Sequence, residues 1–488
     1  MPHGLASYLH QHKLHILFAM SLAGFLLRFY GLEFQSLWND ELATWHDSHF
    51  FAAQAIIERM KDNVHPPGWV LFMHYFELLF GDSEFALRLP SAVAGTLAIP
   101  SLYVLGKELY SPKEGLASAA FLTVLWAPIY YSQEARAYSM LLLMSIWSTY
   151  LLITASKSIE HEDKIPVLTA VAYILTASAA CYLHYFGIVL TGLQAIVFLG
   201  CFLRTPAKLA RGAWMFLSVL LLYLPWMSAV FRDLQKDTFW APVPKGFTRE
   251  LWNLLGFYFN RSTATSLAAA VLFYVPVHYL LSLDIKGWRE SLSGPWLLLL
   301  VWALAPFTIA YIKSLYSAPI LVDRYFLISL PAAYLLLARA VMTLGKHSIS
   351  QAALTVAMVL AFLAGLIFDL GYYSKPTKTQ FREAAALIAK NEGQYEGAVV
   401  VGCAWSPEYF NYYLERQGSR HRVGAIACDA DELDKLKRYI THTNPRYLWY
   451  IFAHRKPSKE IVRYWSSNWQ TVIVKRYIGS GVLLLARG

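Results

Sequence analysis

The chain has 488 residues, of which 57% are hydrophobic and 15% aromatic, and its mean hydropathy is +0.39. This composition exceeds what one soluble core requires, so it excludes an ordinary soluble domain and indicates a polytopic membrane protein. The formal net charge is +10, but the basic residues are scattered through loops instead of gathered on one face, which argues against nucleic-acid binding. Membrane lipid phosphates are the expected anionic partners of these bases.

Apolar stretches near the roughly 20 residues that span a bilayer recur from about Leu14–Phe29 to about Ala352–Leu370. This length criterion predicts about eleven transmembrane helices. The first stretch is expected to be a retained signal-anchor, because it is long for a signal peptide and no small-x-small cleavage site follows it. The predicted fold is therefore mainly α-helical, with a polytopic membrane domain at residues 1–373.

Basic residues mark alternate connections between these helices and predict which side each connection faces. The positive-inside rule places loops with residues such as Lys107, Lys157, Arg204 and Arg339 in the cytoplasm. The N-terminus is then cytoplasmic, and an odd number of helices puts residues 374–488 outside the cytoplasm.

The first predicted outer loop, about residues 32–83, carries the motif Ser36-Leu37-Trp38-Asn39-Asp40-Glu41. Carboxylates at a membrane surface usually mean chemistry or ion handling, although Asp40 and Glu41 also fit the cap and first turn of a helix. Apolar periodicity on both sides of His65 predicts two helices along the membrane interface. They would form a portal for a lipid substrate, or their tryptophans would simply belong to an aromatic belt.

Two further motifs stand at the ends of apolar segments, His65-Pro66-Pro67-Gly68 and Gln133-Glu134-Ala135-Arg136-Ala137-Tyr138. Together with the Asp40 motif they predict polar clusters that converge on one membrane face. Each has a simpler interpretation, because His65 also fits a cap on the turn that the two prolines enforce, and Arg136 also fits an ion pair with Glu134.

Other polar residues are predicted at the same outer face. Arg324 and Tyr325 stand at the mouth of a late helix, where Arg324 would alternatively reach lipid headgroups. His184, Tyr185 and Arg261 are second-tier candidates for a cavity there.

The composition changes near Tyr373, and residues 374–488 are charged and lack a spanning segment. Alternating helical and strand-like runs predict a small α/β domain outside the membrane. Cys403 and Cys428 fit a disulfide, which is permitted outside the cytoplasm, and fit two buried thiols equally well. The triplet Asp429-Ala430-Asp431 matches a metal–nucleotide signature of soluble transferases, but it opens a predicted helix, which favours a capping role.

The chain resembles the GT-C membrane glycosyltransferases in an ordered set of motifs, namely Trp38-x-Asp40-Glu41, His65-Pro66-Pro67, Arg88-Leu89-Pro90-Ser91, Gln133-Glu134-Ala135-Arg136-x-Tyr138 and Arg324-Tyr325-Phe326 with Pro331. Within that class it looks like the bacterial relatives of the dolichyl-phosphate-mannose protein mannosyltransferases, which include the lipid A aminoarabinose transferases. The resemblance covers about residues 14–370. It implies a hexosyl- or pentosyltransferase that takes its sugar from a polyprenyl-phosphate donor.

The resemblance also implies roles for particular residues. Asp40 would be the general base, with Glu41 as runner-up, because a hydroxyl is a poor nucleophile until its proton has somewhere to go. Cationic groups would stabilise the charge that grows on the leaving phosphate. The acceptor oxygen would attack opposite that phosphate, which predicts inversion at the anomeric carbon. The resemblance places His65 and the Arg324-Tyr325 pair near the donor phosphate, and Arg136 and Arg261 are further phosphate-binding candidates. The candidate cavity residues are Trp38, Glu134, Tyr138, His184 and Tyr185.

No cofactor is required by this chemistry and no metal ligands are predicted, although the carboxylate pair would suit a divalent metal. The expected partners are the lipid-linked donor, a lipid, glycan or protein acceptor, and membrane lipids. The expected location is the bacterial inner membrane. The sugar, the acceptor and the oligomeric state are left open by the sequence.

A transporter or flippase for a lipid-linked or anionic solute is the main alternative. Many transporters consist of two matching halves, each with an interrupted hydrophobic segment that forms the binding site. The sequence shows no such pair of interrupted segments. A sensor or scaffold built on the outer domain is a third possibility, but it leaves the Asp40-Glu41 pair unexplained.

Overall fold

The structure is a computed structural model that describes residues 2–235, 241–282, 295–345 and 347–487. It divides into two compact units. The first, which we call the helical unit, comprises Met1–Tyr30, Ala52–Tyr75 and Arg88–Gly371. The second, which we call the sheet unit, comprises Gly31–Phe51, Phe76–Leu87 and Tyr372–Gly488.

Helices dominate the described chain. The first ten are α1 (Pro2–Phe29), α2 (Asn39–His49), α3 (Ala53–Met60), α4 (Gly68–Phe80), α5 (Glu84–Leu109), α6 (Pro112–Val124), α7 (Trp126–Ser132), α8 (Tyr138–Glu162), α9 (Val167–Leu183) and α10 (Tyr185–Phe202). The next seven are α11 (Pro206–Tyr223), α12 (Met227–Leu234), α13 (Phe247–Tyr258), α14 (Thr263–Ser282), α15 (Pro295–Tyr316), α16 (Leu330–Leu344) and α17 (Ser348–Ala364). The last four are α18 (Phe381–Lys390), α19 (Glu408–Arg416), α20 (Leu433–Thr443) and α21 (Lys459–Asn468).

Seven helical segments of the described residues are long and apolar enough to cross a membrane. The count becomes eight if α6 and α7, which meet at a 59° bend, form one span. Two shorter apolar helices, α4 and α9, lie outside this count. The number predicted from sequence, about eleven on the length criterion, is larger than this count of the described residues.

Small residues let the helices of the helical unit approach closely. A Cβ atom added to Gly106 of α5 would lie 2.8 Å from the Cα of Gly115 in α6, and one added to Gly115 would lie 2.6 Å from the carbonyl oxygen of Tyr103. Such contacts are typical of helices that pack in a membrane, where van der Waals packing drives association. Helix α16 is largely enclosed, since ten of its fifteen residues are buried.

The sheet unit contains five strands in the order β2-β1-β3-β5-β4. They are β1 (Val399–Cys403), β2 (Val423–Ile426), β3 (Tyr447–Ala453), β4 (Trp469–Tyr477) and β5 (Ser480–Arg487). Strand β1 pairs in parallel with β2 and β3, whereas β5 pairs antiparallel with β3 and β4. The predicted α/β domain is confirmed. Cys403 and Cys428 form a disulfide with a Cα–Cα distance of 4.9 Å.

Two segments of the first predicted outer loop belong to the sheet unit. The Leu37 amide donates to the Tyr413 hydroxyl at 2.6 Å, and the Ser36 hydroxyl donates to the Thr379 carbonyl oxygen at 2.8 Å. Gln35 accepts from the Lys378 amide at 2.8 Å. These bonds fix the entry to α2, the helix that carries Asp40, within the same compact unit as the five strands.

Candidate active site

Four aromatic side chains from separate stretches of the helical unit come together in what we call the histidine cluster, formed by His65, Tyr138, His184 and Tyr325. The His184 ring lies at the centre. Its centroid is 4.6 Å from that of Tyr325, 5.2 Å from that of His65 and 5.8 Å from that of Tyr138. The structure therefore brings together the His65 motif, the Gln133–Tyr138 motif, the Arg324–Tyr325 motif and one second-tier candidate.

His184 owes its position to the break between α9 and α10. Its backbone is extended, and its Nδ1 accepts the Phe186 amide at 3.2 Å, which satisfies one of the free N–H groups at the start of α10. The ring is buried, and within the described part of the chain its Nε2 has no hydrogen-bond partner. A buried polar atom of this kind is costly unless something binds it, so Nε2 is suited to contact a ligand.

The two imidazoles of the histidine cluster are uncharged at neutral pH. Loss of water contact lowers the pKa of His184 to about 3, and the positive charges of Arg136 and Arg324 act in the same direction. Burial and the same two arginines also lower the pKa of His65 well below its usual value. The positive charge next to the cluster therefore comes from the two guanidinium groups, a form suited to phosphate.

The main chain around Arg136 is held by side chains of two other helices. Ser91 donates to the Arg136 carbonyl oxygen at 3.0 Å, and the Trp69 indole donates to the Ala135 carbonyl oxygen at 3.2 Å. Glu134 is fully buried, and its carbonyl oxygen accepts the Arg136 amide at 2.8 Å. These contacts give the motif one fixed backbone position, as a binding site requires.

Arg261 also belongs to the helical unit, but its contacts are with residues outside the histidine cluster. It forms an ion pair with Asp323 and lies over the Trp126 ring at 5.5 Å from the centroid. A cavity of about 480 Å³ opens beside it. Its lining residues are Trp252, Asn253, Gly256, Arg261, Ser262, Thr265 and Asp323. The sequence reasoning missed Asp323, and its signal was an acidic residue directly before Arg324.

Tyr185 follows His184 in the chain but points to another partner. Its hydroxyl donates to the Asp233 carboxylate of α12. The structure thus separates the two members of the predicted His184-Tyr185 pair.

The two adjacent carboxylates in the first turn of α2 have different surroundings. Glu41 is fully buried, accepts the Trp38 amide at 3.3 Å and forms an ion pair with buried Lys378 at 3.2 Å. Asp40 is partly exposed and accepts a hydrogen bond from the Asn39 side chain at 3.3 Å. Glu41 is therefore paired inside the fold, whereas Asp40 keeps part of its surface accessible.

Lys378 is the residue of this region that sequence reasoning missed. A buried carboxylate needs a counter-charge, which is a signal that some base pairs with Glu41. The sequence does not identify which base, because the partner is 337 residues further along the chain.

The first residue of the acidic triplet near Cys428 stands at the start of a short helical turn. Glu432 accepts the amides of Cys428 and Asp429 at 2.6 and 3.0 Å, and Asp429 forms an ion pair with Arg455. In the part of the chain that the structure describes, no group of three or more His, Cys, Asp or Glu side chains is arranged to hold a metal ion. Use of a divalent metal stays a prediction.

Comparison with known proteins relates these features to a class. Residues 64–231 match the family model described as Dolichyl-phosphate-mannose-protein mannosyltransferase. No curated protein sequence matches the chain. The fold is similar to that of ArnT from Cupriavidus metallidurans bound to undecaprenyl phosphate, at 14% identity and a TM-score of 0.59, over 97% of this chain and 98% of that one. The apo state of that protein matches equally well.

An archaeal structure is also similar. The oligosaccharyltransferase AglB from Archaeoglobus fulgidus, in complex with an inhibitory peptide and a dolichol-phosphate, matches at 14% identity and a TM-score of 0.50, over 91% of this chain and 70% of that one. The fold is thus that of the GT-C membrane glycosyltransferases, an integral membrane domain joined to a C-terminal α/β domain. With the match over residues 64–231, the chain is related to the group that includes the protein mannosyltransferases and ArnT. The resemblance seen in the sequence motifs is confirmed.

Proposed function

We propose that this protein transfers a sugar from a polyprenyl-phosphate donor to an acceptor hydroxyl at the extracytoplasmic face of a bacterial inner membrane. The observation that carries the proposal is the histidine cluster, where uncharged imidazoles lie under the influence of two arginines. The undecaprenyl phosphate bound to ArnT and the dolichol-phosphate bound to AglB support the choice of a lipid phosphate.

The donor phosphate is the group that the cluster suits. Arg136 and Arg324 supply charge, and Nε2 of His184 supplies a buried polar atom with no partner among the described residues. Negative charge grows on the phosphate as the glycosidic bond breaks, and positioned cationic donors lower that barrier. Arg261 is held by Asp323, so its part in phosphate binding requires that it share or leave that carboxylate.

Acceptor activation is assigned to Asp40. Its carboxylate takes the proton of the acceptor hydroxyl, the acceptor oxygen bonds to the anomeric carbon, and the polyprenyl phosphate leaves with the electrons of the broken C–O bond. Attack opposite the leaving group inverts the anomeric carbon. A hexose or a pentose fits this scheme.

The donor part of the proposal is tested by measuring release of polyprenyl phosphate from a panel of polyprenyl-phosphate hexoses and pentoses, with an extract of bacterial envelope lipids and glycans as acceptor.

Arg324→Ala is expected to weaken binding of polyprenyl phosphate at least tenfold. Arg339→Ala, which removes an arginine that pairs with Glu114 at 2.8 Å, is the matched control and should bind normally. If no donor is consumed while labelled lipid crosses the bilayer, the protein is a transporter.

The catalytic part is tested with Asp40→Asn, which should retain donor binding and lose roughly 10²-fold or more in turnover, the size of general-base effects. Asp47→Asn on the same helix is the control, since Asp47 contacts His46 at 3.2 Å. Transfer by Asp40→Asn at the wild-type rate, or a product that retains the anomeric configuration, would contradict the assignment.

A further inference from the structure

The neighbouring parallel strands β1 and β3 are followed by connections that run toward opposite edges of the sheet. The chain leaves β1 through α19 to reach β2 on one side, and it leaves β3 through α21 to reach β4 and β5 on the other. In sheets of this kind ligands bind beyond the carboxyl ends of the strands where the connections diverge. Here Trp405 follows β1, and His454 and Arg455 follow β3 directly.

A large aromatic surface is exposed at this point. Trp405 keeps 64% of its surface accessible, although tryptophan is usually well buried. The Arg455 guanidinium lies 4.7 Å from the Trp405 ring centroid and forms an ion pair with Asp429, the residue that follows Cys428. We call Trp405, Asp429, His454 and Arg455 the strand-end site.

The loops that carry the strand-end site are tied to one another. The Cys403–Cys428 disulfide joins the end of β1 to the residue before Asp429. The Ser458 amide, three residues after Arg455, donates to the Cys428 carbonyl oxygen at 2.7 Å. Loops fixed before a ligand arrives lose less entropy on binding, so the site is organised in advance.

His454 links this site to the segment that carries Asp40. Its backbone is left-handed, with φ of 64°, a conformation that non-glycine residues seldom adopt and that is often found at functional sites. Its ring meets the Trp38 ring edge-on at 6.4 Å. Trp38 precedes Asp40 by two residues, so the strand-end site is in contact with the segment that carries the proposed base.

We propose that the strand-end site binds a saccharide and that this saccharide belongs to the acceptor. A sugar ring has an apolar face that stacks on an exposed indole, and its hydroxyls both donate and accept, which suits a carboxylate beside a guanidinium. The assignment to the acceptor rests on the proposed transferase function. Saccharide binding itself does not.

The test is a titration of the full-length protein in lipid nanodiscs with four tetrasaccharides of different sugars: cellotetraose, maltotetraose, chitotetraose and tetragalacturonate. At least one is expected to bind, and Trp405→Ala should weaken that affinity at least tenfold. Trp405→Phe keeps an aromatic face and should retain most of it. The control is Trp214→Ala, which removes a tryptophan of α11 that is 44% exposed, and it should bind like the wild type.

The outcomes separate the two proposals. Failure of all four probes to bind the wild type, or equal affinity of Trp405→Ala, overturns the saccharide site. If the wild type transfers sugar and Trp405→Ala leaves the acceptor KM unchanged, the transferase stands and the acceptor assignment fails. If no sugar is transferred but tetrasaccharide binding still depends on Trp405, the strand-end site stands and the transferase proposal fails.

Discussion

Two neighbouring carboxylates in one helical turn show how far a residue's role depends on its surroundings. Glu41 lies against Lys378 with both side chains almost fully enclosed, at 0% and 2% exposure. Such a pair adds little net stability over an apolar pair, but removal of one partner leaves an uncompensated charge inside the protein. Asp40, one residue earlier, is partly exposed.

The first prediction concerns this ion pair. Lys378→Met should destabilise the sheet unit by about 3 to 5 kcal/mol, because Glu41 is left buried without its counter-charge. Thermal unfolding of the purified protein measures the loss. Lys375→Met, a change of an exposed lysine three residues away, is the matched control. Unfolding temperatures that coincide for the two variants would show that the pair does not support the fold.

The second prediction concerns Glu77, which lies near the end of α4. Its carboxylate accepts the Ser48 hydroxyl and lies 3.6 Å from His49, and Asp82, paired with Arg416 at 2.6 Å, stands nearby. Burial raises the pKa of Glu77 to about 8, and the negative charge of Asp82 adds to the rise. The folded protein therefore holds this proton up to about pH 8, whereas the unfolded chain releases it near 4.5.

Because the folded state binds the extra proton between these values, the free energy of unfolding should fall as the pH rises through this window, by at most about 1.4 kcal/mol per pH unit. Glu77→Gln should remove this part of the slope. The measurement is unfolding temperature against pH, carried out with His49→Gln in both proteins so that the difference between them reports Glu77 alone. Parallel curves would contradict the raised pKa.

The residues that sequence reasoning found and missed differ in one respect. His65, Arg136 and Arg324 stand in short motifs at the ends of apolar segments, so local pattern was enough to identify them. Lys378 and Asp323 act through partners far along the chain, at separations of 337 and 62 residues. No local pattern reports such a contact, because it exists only once the chain has folded.

The strands of the C-terminal domain could be predicted because each has the same local sequence pattern. All five strands of the sheet coincide with apolar runs that end in turns or charged residues, as at Val399–Cys403 and Tyr447–Ala453. The bend of 59° between α6 and α7 was not predicted. At the bend the Asn260 side chain accepts the Trp126 amide at 2.6 Å and donates to the Phe362 carbonyl oxygen at 2.7 Å, and both partners are more than 100 residues away in the chain.

The third prediction is about the disulfide that joins the end of β1 to the loop after β2. Its cysteines are 25 residues apart, a closed loop for which the chain-entropy model gives about 3 to 4 kcal/mol. Reduction should lower the unfolding temperature of the wild type and leave a Cys403→Ala/Cys428→Ala variant unaffected. Cys201→Ala, which removes an exposed free cysteine, should respond to reductant like the wild type.

Alkylation provides the second readout of this bond. Under denaturing, non-reducing conditions the reagent should modify Cys181 and Cys201 alone. Modification of all four cysteines would show that Cys403 and Cys428 are thiols, the other state that the sequence allowed.

At the scale of the whole molecule, charge is distributed unevenly. Residues 374–488 contain 18 Lys or Arg and 10 Asp or Glu, so they carry most of the formal net charge of +10. The predicted position of this basic domain outside the cytoplasm does not conflict with the positive-inside rule, because the rule is counted over short loops and long domains cross the membrane largely regardless of charge.

The fourth prediction follows from that orientation. In a background with Cys181→Ser and Cys201→Ser, a Ser467→Cys variant should react with a membrane-impermeant maleimide in intact spheroplasts. Lys164→Cys, in a predicted cytoplasmic connection, should react only after the membrane is permeabilised. Both positions are exposed, so the difference reports the side of the membrane. The reverse pattern would invert the proposed topology.

The hydrogen bonds of Ser36 and Leu37, which fix the start of α2, can form only late in the synthesis of the chain. Ser36 and Leu37 bond to residues that the ribosome adds 343 and 376 positions later. At about 5 to 20 residues per second, this segment waits roughly 17 to 75 seconds for its partners. The helix that carries Asp40 thus gains its support only when the last quarter of the polypeptide has been made, so a prematurely terminated chain inserted in the membrane lacks a supported Asp40.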